Sequence, residues 1–310
     1  MDGGGTDAPI YLINPDGSGK TRLTYDGGTD STRTHSWSPD GTRMLYLAHN
    51  DVYVVNSDGS NLTNLTNSFG NDHYPTWSPN GMQIAFQSSS DIYVVNFDGT
   101  GLINLTNSPY SSIHYYYPRW SNDGTKIAYS SEQSSDNDIY MMDADGTNKT
   151  RITDHADGQY VWLSWSPDGT KIAYAHWLDG LVIINADGTN QTTLVAGVGL
   201  AQDKIIAWSP DGSQIAFSWY RDHDGANGVK YYDIYTINAD GTNEVRLTIN
   251  ASNNRYPSWS PDGTRIAFNS DRNVGFSNDI YVMNADGSNQ TRLTSDVANE
   301  ERPMWSPVGP

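Results

Sequence analysis

Tyr256-Pro257-Ser258-Trp259-Ser260-Pro261-Asp262-Gly263-Thr264-Arg265-Ile266-Ala267-Phe268 is followed, after a variable stretch, by Asp279-Ile280-Tyr281-Val282-Met283-Asn284-Ala285-Asp286-Gly287-Ser288 and Thr291-Arg292-Leu293-Thr294. These residues predict four short strands, A to D. Tyr256–Trp259 enters strand A. In Ser260-Pro261-Asp262-Gly263, proline pre-sets φ at the second turn position and glycine takes the positive φ that closes a hairpin. Residues 265–268 form strand B, with small Ala267 where a neighbour must approach. Residues 279–283 form strand C, rich in β-branched and aromatic side chains. Asn284–Ser288 is a second hairpin turn, and residues 291–294 form strand D.

Reading outward, Trp-Ser-Pro-Asp-Gly or a near copy starts at Trp37, Trp77, Trp120, Trp165, Trp208 and Trp259, with a truncated copy at Trp305. Spacings of about 45 residues match one four-stranded propeller blade; helical repeats of that length lack this Gly, Pro and Asp punctuation. Composition agrees. Of 310 residues 36% are hydrophobic, but 10 Trp and 20 Tyr supply ample surface to bury, so a disordered chain is excluded despite low hydropathy. Nearly all of the 36 acidic residues are Asp, a turn and cap former, which argues against a helical protein.

The recurrent Trp, Ile-Ala-Phe and Ile-Tyr are read as the two faces each blade buries against its neighbours, about 1.5–3 kcal/mol per large side chain. Turn aspartates are read as architecture: Asp40, Asp123, Asp168, Asp211 and Asp262 in A–B turns, and Asp16, Asp58, Asp98, Asp145, Asp187, Asp240 and Asp286 in C–D turns. The motif Trp-Ser-Pro-Asp-Gly-Thr-Arg-Ile-Ala-Phe with Asp-Ile-Tyr-Val-Met-Asn-Ala-Asp-Gly resembles the WD40-like (PD40) repeat of the TolB family. Similar repeats build the propellers of tricorn-type and dipeptidyl-peptidase-type proteases and of oligogalacturonate lyase. The resemblance implies the fold and a periplasmic or extracellular setting. TolB's separate α/β domain and the proteases' hydrolase domain have no counterpart in these residues, so neither the Tol–Pal partnership nor protease activity carries over.

One propeller domain over residues 1–310 is expected. Residues 10–24 read as a C–D hairpin and Trp305-Ser306-Pro307 as a strand A, so seven blades are favoured, the closing blade built from 10–24 and 302–310, with six as the alternative. Blade 4 departs from the consensus at Leu181-Val182-Ile183-Ile184, and Trp219 to Lys230 is the longest B–C insertion.

A formal charge of −18 and no basic stripe exclude nucleic acid as partner. No stretch of 18 apolar residues could span a membrane. Cysteine is absent, which excludes disulfides and thiolate-bound zinc and suits an oxidising compartment. Met1 runs directly into Asp2-Gly3-Gly4-Gly5, so a leader removed on export is expected.

Binding residues favour variable loops on a rigid frame, here the B–C and D–A loops. All seven histidines fall there: His35, His73, His114 and His155 in D–A segments, His49, His176 and His223 in B–C segments. Three or four residues ahead of each repeat tryptophan come Arg33, His73, Tyr116, Trp162, Lys204, Arg255 and Arg302, a basic and aromatic set placed at the mouth of the central channel. Guanidinium forks grip carboxylates and aromatic faces stack on sugars, so these residues fit an acidic glycan; structurally, they would neutralise nearby aspartates and cap blade cores. Asp222-His223-Asp224-Gly225-Ala226-Asn227-Gly228 has the alternating oxygens and glycine kink of a short calcium loop, with Asp222, Asp224 and Asn227 as ligands, but lacks a distal glutamate. No Gly-x-Ser-x-Gly elbow occurs.

These features converge on a non-catalytic binding module for a protein or an acidic glycan, requiring no cofactor, as a monomer or part of a multidomain chain. The alternatives are a metal-assisted polysaccharide lyase or hydrolase using loop histidines, for which the resemblance to oligogalacturonate lyase is a precedent, and a structural propeller fragment of a surface protein.

Overall fold

In a computed structural model the protein is an all-β propeller of four-stranded antiparallel blades. The structure describes residues 9–24, 35–67, 70–108, 113–133, 136–154, 162–176, 179–197, 206–221, 230–273, 277–295 and 299–308. Two compact units divide the chain: Met1–Asn14, Ser18–Tyr160 and Pro310 form the first, Pro15–Gly17 and Val161–Gly309 the second.

The first unit opens with β1 (Tyr11–Leu12) and β2 (Thr21–Arg22), paired only with each other. Blade 1 is β3 (His35–Trp37), β4 (Arg43–Ala48), β5 (Asp51–Asn56) and β6 (Thr63–Asn64). Blade 2 is β7 (Asp72–Trp77), β8 (Gln83–Ser88), β9 (Asp91–Asn96) and β10 (Ile103–Asn104). Blade 3 is β11 (His114–Trp120), β12 (Lys126–Gln133), β13 (Asp136–Asp143) and β14 (Thr150–Arg151).

In the second unit, blade 4 is β15 (Trp162–Trp165), β16 (Lys171–His176), β17 (Gly180–Asn185) and β18 (Thr192–Val195). Blade 5 is β19 (Ala207–Trp208), β20 (Gln214–Arg221), β21 (Tyr231–Asn238) and β22 (Val245–Arg246). Blade 6 is β23 (Asn254–Trp259), β24 (Arg265–Ser270), β25 (Asp279–Asn284) and β26 (Thr291–Arg292). Every blade is a plain meander, each strand hydrogen-bonded to the next in sequence.

Among the described residues there are thus six blades, and the expected seventh is corrected. Residues 302–308 form no strand, so the hairpin β1–β2 gains neither a strand A nor a strand B. Trp305 still behaves as a repeat tryptophan: its indole N–H donates to Ser258 O at 3.0 Å and Arg265 stacks on its ring at 4.9 Å.

That indole bond is the recurring joint between blades. Trp77 donates to Ser36 O at 3.3 Å, Trp208 to Ser164 O at 3.2 Å and Trp259 to Ala207 O at 3.1 Å. Each acceptor immediately precedes the tryptophan of the blade before, so one side chain buries area and fixes register together. Trp77, Trp120, Trp165, Trp208 and Trp259 are all buried. Alanine at the third position of strand B meets them: Ala85 shares a core cluster with Trp120 and Ile127, Ala216 with Trp259 and Ile266.

Turns follow the expected chemistry. In the last blade, Ser260 Oγ and Thr264 N–H donate to Asp262 Oδ1 at 2.6 and 3.0 Å, the Gly263 N–H donates to Ser260 O, and Gly263 has φ of 69°. Aspartates near the start of strand C clip strand D. Asp233, buried, accepts Thr248 Oγ1–H at 2.7 Å and Arg246 Nη2–H at 2.7 Å, while Ile234 N–H donates to Thr248 Oγ1.

Blade 4's departure from consensus has a steric cause. Gly180 stands where other blades carry this aspartate, with φ of 87°, and a Cβ there would overlap the Val195 carbonyl oxygen. Losing the clip lets β18 approach, and it runs four residues where the other fourth strands have two.

Candidate functional site

The site begins with an irregularity in strand A. Registers β7–β8, β11–β12 and β23–β24 each slip, between His73 and Thr76, Tyr116 and Arg119, and Arg255 and Ser258. Within each slip sits a residue in the left-handed region ahead of proline: Tyr74 (φ 53°), Tyr117 (φ 54°) and Tyr256 (φ 57°). A bulky residue at positive φ is strained, and such bulges re-aim side chains.

This bulge sorts the residues singled out from the sequence. His73, Tyr116 and Arg255 lie four positions before the tryptophan, ahead of the bulge. Arg302, three before Trp305, adopts φ of 57° and so matches Tyr74, Tyr117 and Tyr256 instead. Its guanidinium lies 5.0 Å from the Tyr256 ring. Trp162 begins β15. Arg33, Lys204, His155, His223 and the calcium-loop residues Asp222, Asp224 and Asn227 lie outside the described residues.

In the first unit the structure brings His73 and Tyr116 together. Both line a cleft of about 460 Å³ with Gly70, Asn71, Tyr74, Gln87, Ser89 and His114. Its walls are rings: His73 to Tyr74 at 5.7 Å, His114 stacked with Tyr116 at 6.1 Å, and Tyr74 to Tyr117 at 4.2 Å between centroids. His114 is held by its Nδ1, 3.0 Å from Ser90 Oγ, and Tyr116 O–H donates to Glu132 Oε2 at 3.4 Å. His73 pairs across the ladder with Gln87. His73 Nδ1 and Gln87 Oε1 are each buried without a hydrogen-bond partner among the described residues.

Arg119 sits near this aromatic wall. Burial pulls its guanidinium below the usual arginine range, an effect opposed by Tyr117 and Tyr74, and its Nη1–H donates to Pro118 O at 3.0 Å. In an acidic chain this places a fixed cation beside the rings.

Other described histidines serve the frame. His49 and Asn50 have φ of 52° and 66°, the two-residue turn that right-twisted hairpins prefer. His176 is buried at the end of β16, with Nδ1 3.0 Å from Asp179 Oδ2. No group of three or more His, Cys, Asp or Glu able to hold a metal occurs among the described residues.

Sequence reasoning missed Tyr74, Gln87 and Ser89. The Tyr-Pro pairs at 74–75, 117–118 and 256–257 are the available signal, since they mark the bulge. Gln87 carries a periodic one: the fifth residue of strand B is Leu47, Gln87, Ser130, Ala175, Ser218 and Asn269. All four polar members carry a buried, unpartnered polar atom.

Repeated four-stranded meanders joined by tryptophan, with a cleft at the ends of the first strands, define a β-propeller of the PD40 kind. The PD40 family, described as TolB beta propeller domain, matches residues 88–198 and 164–310, and the chain belongs to it. Its fold resembles that of a putative TolB from Agrobacterium tumefaciens, 22% identical, covering 83% of this chain and 94% of that one, TM-score 0.56. It also resembles an oligogalacturonate lyase in complex with manganese (18% identity, 92% and 84% coverage, TM-score 0.69). A third likeness is to oligogalacturonate lyase from Vibrio parahaemolyticus (17% identity, 97% and 91% coverage, TM-score 0.70). At these identities the likenesses concern the fold. No curated protein matches the chain. No helix among the described residues is long and apolar enough to cross a membrane.

Proposed function

We propose that the chain, residues 1–310 as one propeller domain, is a non-catalytic binding module whose cleft at His73, Gln87, His114 and Tyr116 holds a sugar unit of an acidic glycan, in the periplasm or outside the cell. The observation that carries this is the His73–Gln87 pair: a donor or acceptor nitrogen and an acceptor oxygen, both buried and unpartnered, on residues that line one cleft. Leaving such atoms unsatisfied costs about 1–3 kcal/mol each, and a ligand hydroxyl can satisfy both roles. The phenol and imidazole rings supply stacking faces for a sugar ring. Fluctuation of the two side chains by an ångström or so would present both polar atoms to an entering ligand.

Calorimetry with short oligouronides tests it. Binding at this cleft is expected in the wild type, its affinity weakened at least ten-fold by His73→Ala and by Tyr116→Ala; a wild type that binds none of a uronate panel overturns it.

One observation favours the metal-assisted lyase as a second reading. An imidazole nitrogen and an amide oxygen, unpartnered in one cleft beside a second imidazole, are donors that a first-row divalent metal accepts, and a fold neighbour binds manganese. Manganese-dependent release of an unsaturated uronide, followed by its ultraviolet absorbance, would establish the lyase in place of the binding module.

A further inference from the structure

Blade 6 repeats the His73–Gln87 device with other chemistry, and we infer that the second unit carries its own acidic-glycan site, built from Arg255, Asn269, Tyr220 and Lys230. The inference rests on the reading that the chain binds acidic glycans, and adds a site the first-unit cleft does not contain.

Arg255 occupies the position of His73, the last paired residue before the bulge, and its ladder partner Asn269 occupies that of Gln87. Again both bear orphans: Arg255 Nε and Asn269 Oδ1 are buried without a hydrogen-bond partner among the described residues, and Asn269 is only 1% exposed. A donor and an acceptor have been set side by side, and neither satisfies the other. Buried polar atoms left in this state call for an explanation, and two at equivalent register in separate units share one.

An aromatic platform stands beside them. The Arg255 guanidinium lies 4.2 Å from the centroid of Tyr232, whose ring lies 4.8 Å from Tyr220. Tyr220 is 40% exposed, and Lys230 Nζ lies 6.0 Å from its centroid. This platform exists because β20 and β21 run eight residues where β24 and β25 run six, which adds the cross-strand pair Tyr220–Tyr232. An exposed phenol with an ammonium beside it, next to a second phenol capped by a guanidinium, suits a sugar ring bearing a carboxylate.

The loop that presents Arg255 is already fixed. Asn254 is fully buried, and its Nδ2 donates to Asp233 Oδ1 at 3.1 Å and to Ser252 O at 2.9 Å, while its Oδ1 accepts from Arg272 Nη2 at 2.9 Å. Asn253 donates from its backbone and side chain to Asp271 at 2.7 and 2.8 Å, and its Oδ1 accepts the Tyr232 N–H. Little ordering is left for a ligand to impose.

The test is the stoichiometry of a uronate trimer by calorimetry on the full chain, with circular dichroism and melting temperature confirming that each variant folds. Two trimers per chain are expected for the wild type, and one each for Arg255→Ala and His73→Ala. Arg255→Lys keeps the charge but loses the fork, and should weaken the second-unit site at least three-fold without changing the count. A single trimer lost in His73→Ala and untouched in Arg255→Ala overturns this inference and leaves the first cleft standing. Absence of binding by the wild type overturns both.

Discussion

Asp40 and Asp262 show how a single side chain can define a turn and also set its response to acid. The Ser38 and Ser260 hydroxyls, and then the backbone N–H groups of Thr42 and Thr264, hold these carboxyls down at about 2, against an ordinary value of 3.8. A carboxyl whose folded value is depressed stabilises the fold fully above its unfolded value, and that contribution is lost as pH falls through the folded one. Both should therefore titrate near 2 by carbon-detected magnetic resonance, and the urea midpoint should fall between pH 4 and 2. A midpoint unchanged over that window would show these turns to be indifferent to charge. The indoles act on the same scale. Trp259→Phe removes the bond to Ala207 O and part of the ring area, an expected loss of about 2 kcal/mol in equilibrium unfolding.

At the level of strands, the aspartate clip separates what is structural from what is available for binding. Asp233 is buried and paired with the partly exposed Arg246, so Arg246→Met leaves a carboxylate in the interior without its counter-charge and should destabilise the fold by about 3 kcal/mol. Restoring neutrality with Asp233→Asn in the same chain should recover part of that loss in a double-mutant cycle. Hairpins and tryptophans were legible in the sequence because each is a local pattern repeated at fixed spacing. Blade number was less legible: fourth strands of two residues, as in β6 and β26, look the same in sequence as the isolated hairpin strand β2, so a complete blade cannot be told from a hairpin. The site was legible only in part. His73, Tyr116 and Arg255 stand out as unusual residue types at one offset. Arg302 stood out equally and belongs to the other side of the bulge, because a one-residue slip is invisible in spacing counted as three or four. Orphaned atoms such as Gln87 Oε1 depend on where a neighbour's hydrogen bonds end, which no one-dimensional pattern encodes.

For the molecule as a whole, a chain of formal charge −18 is proposed to hold an anionic polymer, and the two facts act over different distances. Across more than a Debye length, about 8 Å at physiological salt, an approaching uronate meets the net field and is repelled. Within that distance it meets the rings and polar atoms of the first-unit cleft, or Arg255 and Lys230 in the second unit. Salt screens the outer repulsion first, so the association rate should rise as ionic strength goes from about 10 to 150 mM, by several-fold. The dissociation rate should rise as well, because exposed cations such as Lys230 grip less firmly when screened. Stopped-flow association with a fluorescent uronate trimer separates the two rates, and Lys230→Ala should flatten the salt dependence of dissociation while leaving that of association intact. An association rate that falls with salt would mean that the ligand is steered by a local cationic field strong enough to overcome the whole molecule's charge. The binding face would then have to be electrostatically isolated from the acidic turns.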